Sequence, residues 1–281
     1  MEHRPFISVI IPVWNGARYL DACLNSILRQ SWQHFEIIIV DDGSRDATWD
    51  MLMRWKKQDA RIVPFHQENA GVSEARNTAM RHASGDYYRF VDVDDQLPPD
   101  SLEQLVRCAE KNQSDLVLAA YTEVLGTTRT VRDLGKCTDT VESAEFLRRL
   151  ERLSNSFYYG VLWNKLYRRD LIRMAQIRFE NVVFAEDQLF NTEYLRYVRT
   201  AVSIPDIGYY YLQCSQSVSH SRVTTADILR LRRRVMLLYR DIYTELGIYP
   251  ETRAAILRSP FGENEFTLPP LDTPQTHCCK L

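Results

Sequence analysis

Three acids in four residues, Asp92-Val93-Asp94-Asp95, are the strongest chemical signal in the chain. They follow a β-branched and aromatic run. Strand alternation would send Asp92 and Asp94 to one side and Asp95 to the other. Two carboxylates on one face repel each other unless a cation lies between them. Hard oxygen ligands suit Mg2+ or Mn2+, which keep coordination positions open for substrate phosphates. The competing reading is a solvated turn in which Asp94 or Asp95 caps the segment after Leu97-Pro98-Pro99.

Asp41-Asp42-Gly43-Ser44-Arg45-Asp46 repeats the theme. A carboxylate there could accept hydrogen bonds from a nucleobase edge or a ribose. The same residues also suit a β–α turn with Ser44 or Asp46 as the helix N-cap. The run from Asn69 to Asn77 opens a helix with Gly71 near its start. Arg76, about one and a half turns in, could face a crevice and pair with phosphate or base, or stay at the surface beside Glu74 or Asp86.

These residues recur at strand ends. Short apolar runs at 7–11, 35–40, 62–65, 87–91 and 116–120 alternate with helical patterns at about 17–30, 46–58, 72–83 and 99–112. That alternation predicts an α/β fold, a mostly parallel sheet flanked by helices on both faces. Such sheets bind ligands at the carboxyl ends of their strands. Four successive strand ends here carry acids, amides or glycines: Pro12 to Gly16, Asp41 to Ser44, Gln67 to Gly71 and Asp92 to Asp95.

The 281 residues, 45% apolar and 26% charged, are those of a globular protein and exclude collagen-like or wholly disordered chains. The net charge of −2 divides into −5 over residues 1–120 and +3 over 121–281, too little positive charge to suggest a nucleic-acid partner. Six scattered cysteines without a CxxC pair argue against a zinc site or a disulfide framework, so a reducing compartment is expected. The first residues lack the run and flanks of a signal peptide, and no stretch nears the roughly 20 apolar residues of a membrane span. A cytoplasmic protein is expected, with a peripheral place on the inner face of the membrane as the alternative.

The segment 8–48 followed by 68–95 resembles the nucleotide-sugar-binding half of glycosyltransferase family 2, inverting enzymes with the GT-A (Rossmann-like) fold. The resemblance is dense over 6–120 and continues more weakly through Trp163-Asn164-Lys165-Leu166-Tyr167-Arg168 and Phe184-Ala185-Glu186-Asp187 to about residue 220. It implies a catalytic domain over 1–220, with a nucleotide-binding half at 6–120 and an acceptor half at 121–220. It implies that Pro12 and Val13 hold a uracil, that Asp41 reads the base with Asp42 beside it, and that Asn69 and Arg76 line the nucleotide and diphosphate. Asp92-Val93-Asp94 matches the metal-binding DXD element, with Asp92 towards the ribose and Asp94, or Asp95, on a divalent Mn2+ or Mg2+. Asp187 matches the general base, with Glu186 orienting it; the alternative for Asp187 is a helix N-cap. His220 stands where some relatives place a phosphate- or metal-contacting group, or is a surface histidine.

The implied function is transfer of a sugar, with inversion, from a UDP-sugar to a saccharide or lipid-linked saccharide acceptor in surface polysaccharide or lipopolysaccharide biosynthesis. A nucleotidyltransferase of similar sheet type would show a Gly-rich, basic signature after the first strand, where this chain has Pro12-Val13-Trp14-Asn15. A non-catalytic nucleotide-sugar binder would not need both the Asp92/Asp94 pair and Asp187. A mainly helical C-terminal extension is expected over 221–258, including a basic amphipathic helix at 225–246. That helix either packs its apolar stripe on the catalytic domain or contacts an anionic membrane surface. The Pro-rich tail at 259–281 reads as disordered.

Overall fold

The computed structural model describes residues 4–133, 140–152, 160–182, 185–212 and 225–248. His220 and the tail at 259–281 lie outside the described residues. The first strand, β1 (Ile7–Val13), is buried along its whole length, as a strand covered on both faces must be. It is followed by α1 (Ala17–Leu28), β2 (Phe35–Asp42), α2 (Thr48–Gln58), β3 (Ile62–Gln67), α3 (Val72–His82), β4 (Tyr87–Phe90), α4 (Ser101–Asn112) and β5 (Leu116–Leu125). These elements follow the predicted alternation, and β1 pairs parallel with both β2 and β4, as β2 does with β3.

Beyond β5 the chain departs from simple alternation. A hairpin returns as β6 (Thr128–Arg132), and then come β7 (Val141–Glu142) and α5 (Ser143–Arg152). Next are β8 (Lys165–Arg168), α6 (Arg169–Met174), α7 (Glu186–Leu195), β9 (Thr200–Leu212) and α8 (Thr225–Glu245). Among the described residues the sheet runs β3-β2-β1-β4-β8-β5-β9-β7, with β6 paired to β5. The four-residue β8 inserts antiparallel between β4 and β5, so the first four strands and the later ones share one sheet.

That junction contains a buried cation. Arg89 of β4 donates from Nη1 to the Lys165 carbonyl at 3.0 Å and from Nη2 to the Gly208 carbonyl at 2.7 Å, tying β4, β8 and β9 together. Burial lowers the Arg89 pKa to about 10. In α8 the apolar stripe is turned inward: Val235 and Ile242 are each 1% exposed, and Arg234 forms a forked pair with Glu180 at 2.6 and 2.5 Å.

The loops at the carboxyl end of the sheet are stitched to one another. The amides of Asn15, Gly16 and Ala17 donate to Ser44 Oγ, Thr48 Oγ1 and Asp46 Oδ2, and the Arg45 amide donates to Asn15 Oδ1, all between 2.8 and 3.1 Å. Asp46 therefore serves two helices, since its Oδ1 also accepts from the Thr48 amide at the start of α2. Gly43 lies at φ +71°, and a Cβ there would stand 2.8 Å from the Asn69 amide nitrogen. Gly43→Ala should therefore destabilise the fold by about 1–3 kcal/mol through the left-handed backbone and the clash with main chain. The check is the urea midpoint at unchanged m-value.

Candidate active site

Alternation along β2 separates its last two acids. Asp41, fully buried, accepts from the Ser44 amide on Oδ1 at 3.2 Å and lies 2.8 Å from His66 Nδ1 through Oδ2. Asp42 turns the other way. Its Oδ1 accepts from Gln67 Nε2 and the Ala70 amide at 2.7 and 2.9 Å, and its Oδ2 accepts from the Gly71 amide at 2.8 Å. Gly71, the N-cap of α3, has no side-chain cap of its own, so Asp42 supplies the anion that a helix N-terminus favours. Asp42 thus anchors the 67–71 loop. Asn69 is exposed on that loop and donates from Nδ2 to the Asp42 carbonyl at 2.9 Å.

Pro12 and Val13 sit in the last two positions of β1, in register with Val40 and Asp41. Gly16 lets Val13 and Val93 close over it: a Cβ there would lie 2.4 Å from Val13 Cγ2 and 3.2 Å from Val93 Cγ1.

The acidic run is not strand. Strand β4 ends at Phe90, and residues 92–95 form a turn closed by the Asp95 amide on the Asp92 carbonyl at 3.1 Å. The alternation expected for Asp92, Asp94 and Asp95 does not apply, and other bonds set their directions. Tyr209 of β9 donates its hydroxyl to Asp95 Oδ2 at 2.7 Å and accepts from the Asp92 amide at 3.1 Å. The Leu212 amide donates to Asp95 Oδ1 at 2.8 Å, and Gln96 bridges Tyr210. Both Asp95 oxygens are therefore engaged with β9. Burial, then the charges of Asp94 and Asp92, push the Asp95 carboxyl well above the usual range. Asp95 clamps the turn; Asp94 beside it is 4% exposed, and Asp92 reaches Arg76. Trp163 stacks on Tyr209 at 4.5 Å between ring centroids and fixes the clamp from behind.

Arg76 joins this turn to the later half of the chain. It is 1% exposed, and its guanidinium meets Asp92 Oδ1 at 3.2 Å, Glu186 Oε1 at 3.0 Å and Asp187 Oδ1 at 2.8 Å. Burial alone would favour the neutral form; the charges of Asp187, Asp92 and Glu186 outweigh it and raise the Arg76 pKa above its ordinary value. The resemblance placed Arg76 along the nucleotide and diphosphate. In the structure its bonds go to carboxylates. The adjacent Asn77 bonds the Phe179 main chain in both directions at 2.9 Å, so α3 grips the segment leading to α7 twice.

Glu186 and Asp187 open α7, whose N-cap Ala185 is left-handed at φ 59°. Asp187 is therefore inside the first turn, not at the cap. Lys165 is buried nearby and donates to the Val161 carbonyl and to Asn164 Oδ1 at 2.8 Å. Burial pushes its amine well below the lysine range, against the opposing charge of Asp187. Sequence reasoning assigned no role to Tyr209, Lys165 or His66. Of these, only His66 had a usable signal, its place one residue from the end of a strand that flanks Asp41.

For a metal, the donor set is all carboxylate, which suits Mg2+ or Mn2+. Among the described residues no group of three or more His, Cys, Asp or Glu side chains is arranged to hold an ion. Mg2+ in phosphate sites is commonly held by one or two carboxylates together with substrate phosphates. The described residues do not form a closed cage.

The sequence profile of Glycosyl transferase family 2 matches residues 8–174. The uncharacterized glycosyltransferase EpsJ of Bacillus subtilis is 32% identical over 217 residues, 76% of this chain and 63% of that protein. The chain thus spans less than two thirds of that relative's length. S. aureus TarS 1–349, solved in complex with UDP-GlcNAc, superposes with a TM-score of 0.72 at 23% identity, covering 85% of this chain and 70% of that one. The mannosyltransferase PcManGT from Pyrobaculum calidifontis, in complex with GDP-Man and Mn2+, superposes at 0.55 and 20% identity over 92% of this chain and 75% of its own. These two likenesses show the GT-A fold.

Removing the guanidinium would take from Asp92, Glu186 and Asp187 the cation they share. Arg76→Met should therefore cost about 3–5 kcal/mol near neutral pH, the loss usual when a buried ion pair is broken from one side. Urea unfolding of variant and wild type at neutral pH would measure the loss.

Proposed function

This chain belongs to glycosyltransferase family 2, and we propose that it moves a sugar, with inversion and metal dependence, from a UDP-sugar to a saccharide or lipid-linked saccharide acceptor of a surface glycan. The observation that carries this reading is the arrangement around Arg76. One buried guanidinium holds Asp92, at the end of the nucleotide-type half, against Glu186 and Asp187 from the later half. Family membership sets aside the nucleotidyltransferase alternative.

In this reading Pro12, Val13, Asp41 and Asn69 line the nucleoside, and Asp92 lies towards the ribose. Inversion is a single displacement through an oxocarbenium-like transition state. The acceptor hydroxyl oxygen bonds to the anomeric carbon as the bond from that carbon to the diphosphate oxygen breaks. The electron pair leaves with the nucleoside diphosphate, and the hydroxyl proton passes to the Asp187 carboxylate. Glu186 shares Arg76 Nη1 with Asp187 and orients it. Asp94 would hold a divalent cation, whose chemistry is to neutralise charge on the departing diphosphate.

A donor complex of TarS with UDP-GlcNAc supports the uridine assignment, and the Mn2+ bound in PcManGT supports the metal. No helix among the described residues is long and apolar enough to cross a membrane. Any contact of α8 with a lipid surface would fall to its exposed arginines, such as Arg233 and Arg240, because Val235 and Ile242 are buried.

Asp187→Asn should leave UDP affinity within about twofold of wild type while lowering transfer by roughly 10²–10⁴-fold, the usual contribution of a general base. Asp94→Ala should weaken Mn2+-dependent UDP binding and transfer together. A panel of nucleotide sugars, with Mn2+ and with EDTA, followed by thermal shift and donor hydrolysis, checks both. Full turnover by Asp187→Asn would remove it as the base.

A further inference from the structure

Phe179 belongs to no helix or strand, yet its main chain is held as a neighbouring strand would hold it. The Asn77 side chain donates from Nδ2 to the Phe179 carbonyl and accepts the Phe179 amide on Oδ1, both at 2.9 Å. A side-chain amide carries donor and acceptor side by side, so it can take both main-chain groups of one residue at once. Both residues are buried, so these bonds are made away from water.

The ring of Phe179 meets both partners of the Arg76–Asp187 pair. Arg76 lies over it, with Cζ 5.3 Å from the ring centroid, a cation–π contact that burial strengthens. Phe190 of α7 stacks on it at 4.1 Å and 4°, and Phe90 packs edge-to-face with both rings at 5.4 and 5.6 Å. Phe190 stands three residues after Asp187, on the same side of α7. Asp187 Oδ1 in turn accepts from Arg76 Nη1 at 2.8 Å. The contacts therefore form a closed circuit: Arg76, Phe179, Phe190, Asp187 and back to Arg76. In a close-packed interior this circuit leaves α7 little room to slide past α3 without parting Asp187 from the guanidinium.

We propose that Phe179, held by Asn77, is a positioning residue for sugar transfer that sets where Asp187 stands relative to Arg76 and the reacting centre. A general base works only within hydrogen-bond reach of the proton it takes. A displacement of about 1 Å can cost roughly a hundredfold in rate. Phe179 touches no reacting atom and acts through Asp187, not on the donor. The inference rests on the proposed role of Asp187 as the base and adds the residue that fixes its place.

The test is a double-mutant cycle in the full chain, comparing wild type, Phe179→Leu, Asp187→Asn and the double variant. Single-turnover transfer, kcat, donor KM and calorimetric UDP affinity are measured for each. Phe179→Leu keeps an apolar side chain and removes the ring. It should lower kcat about ten- to thirtyfold and leave donor KM and UDP affinity within about twofold. Added to Asp187→Asn, it should cost less than about twofold more, because a residue that works through the base has nothing left to position once the base is gone. Leu105→Ala, a cavity in the buried face of α4, is the control for lost stability and should keep kcat within about twofold.

A folded Phe179→Leu protein with a kcat no lower than that of Leu105→Ala overturns the inference and leaves the proposed function standing. Parallel losses of kcat and UDP affinity overturn it as well, since they mark disruption of the whole site. So does a full additional loss in the double variant. Full turnover by Asp187→Asn overturns the proposed base and this inference together. If Phe179→Leu does not fold, Phe190→Leu, which removes the other ring of the stack, is read by the same criteria.

Discussion

The site depends on a buried arginine surrounded by three acids from two parts of the chain. Arg76 is taken from water by α3, and burial of an unpaired guanidinium would be prohibitive. Its compensation comes from Asp92 on one side and from Glu186 and Asp187 on the other. Neither side alone satisfies it. Docking of the later part of the chain against the earlier part and assembly of the acids around one point are therefore the same event. The forked contact also fixes spacing, because a planar guanidinium presents its N–H groups in set directions.

A second constraint acts on the acidic turn. Strand β9 fixes the direction of Asp95, and α3 that of Asp92. The Tyr209 hydroxyl and the Leu212 amide take up Asp95, while Asp92 reaches Arg76. Trp163 and Arg89, both buried, pack against Tyr209 from either side and transmit the position of the sheet junction to that hydroxyl. The candidate site is accordingly built on the interior of the sheet, although its acids follow the strand ends.

Much of this was legible in the sequence. The five apolar runs and the four helical patterns between them located β1 to β5 and α1 to α4, because continuous β-branched segments and amphipathic ones have different periods. The strand-end rule then picked out the polar residues at the rim. What escaped it has physical causes. Strand β8 is four residues long, too short for a period to register, and its place in the sheet is set by partners far along the chain. The opposite directions of Asp41 and Asp42 needed the true end of β2, two residues beyond the apolar run. The fate of Asp95 depended on a tyrosine 114 positions away. The expectation that Asp92 and Asp94 share a strand face failed because the strand stops at Phe90 and the acids lie on a turn.

The cross-bonded loops that follow β1 and β2 have a thermodynamic consequence. Asn15, Gly16, Ala17 and Arg45 have their amides satisfied by side chains of the neighbouring loop, so this part of the rim is ordered when the chain folds. A ligand settling there has little conformational entropy left to remove. Its calorimetric signature is that of entry into a rigid cleft, with a heat-capacity decrement scaled to the apolar area it covers and without the larger one that accompanies folding on binding.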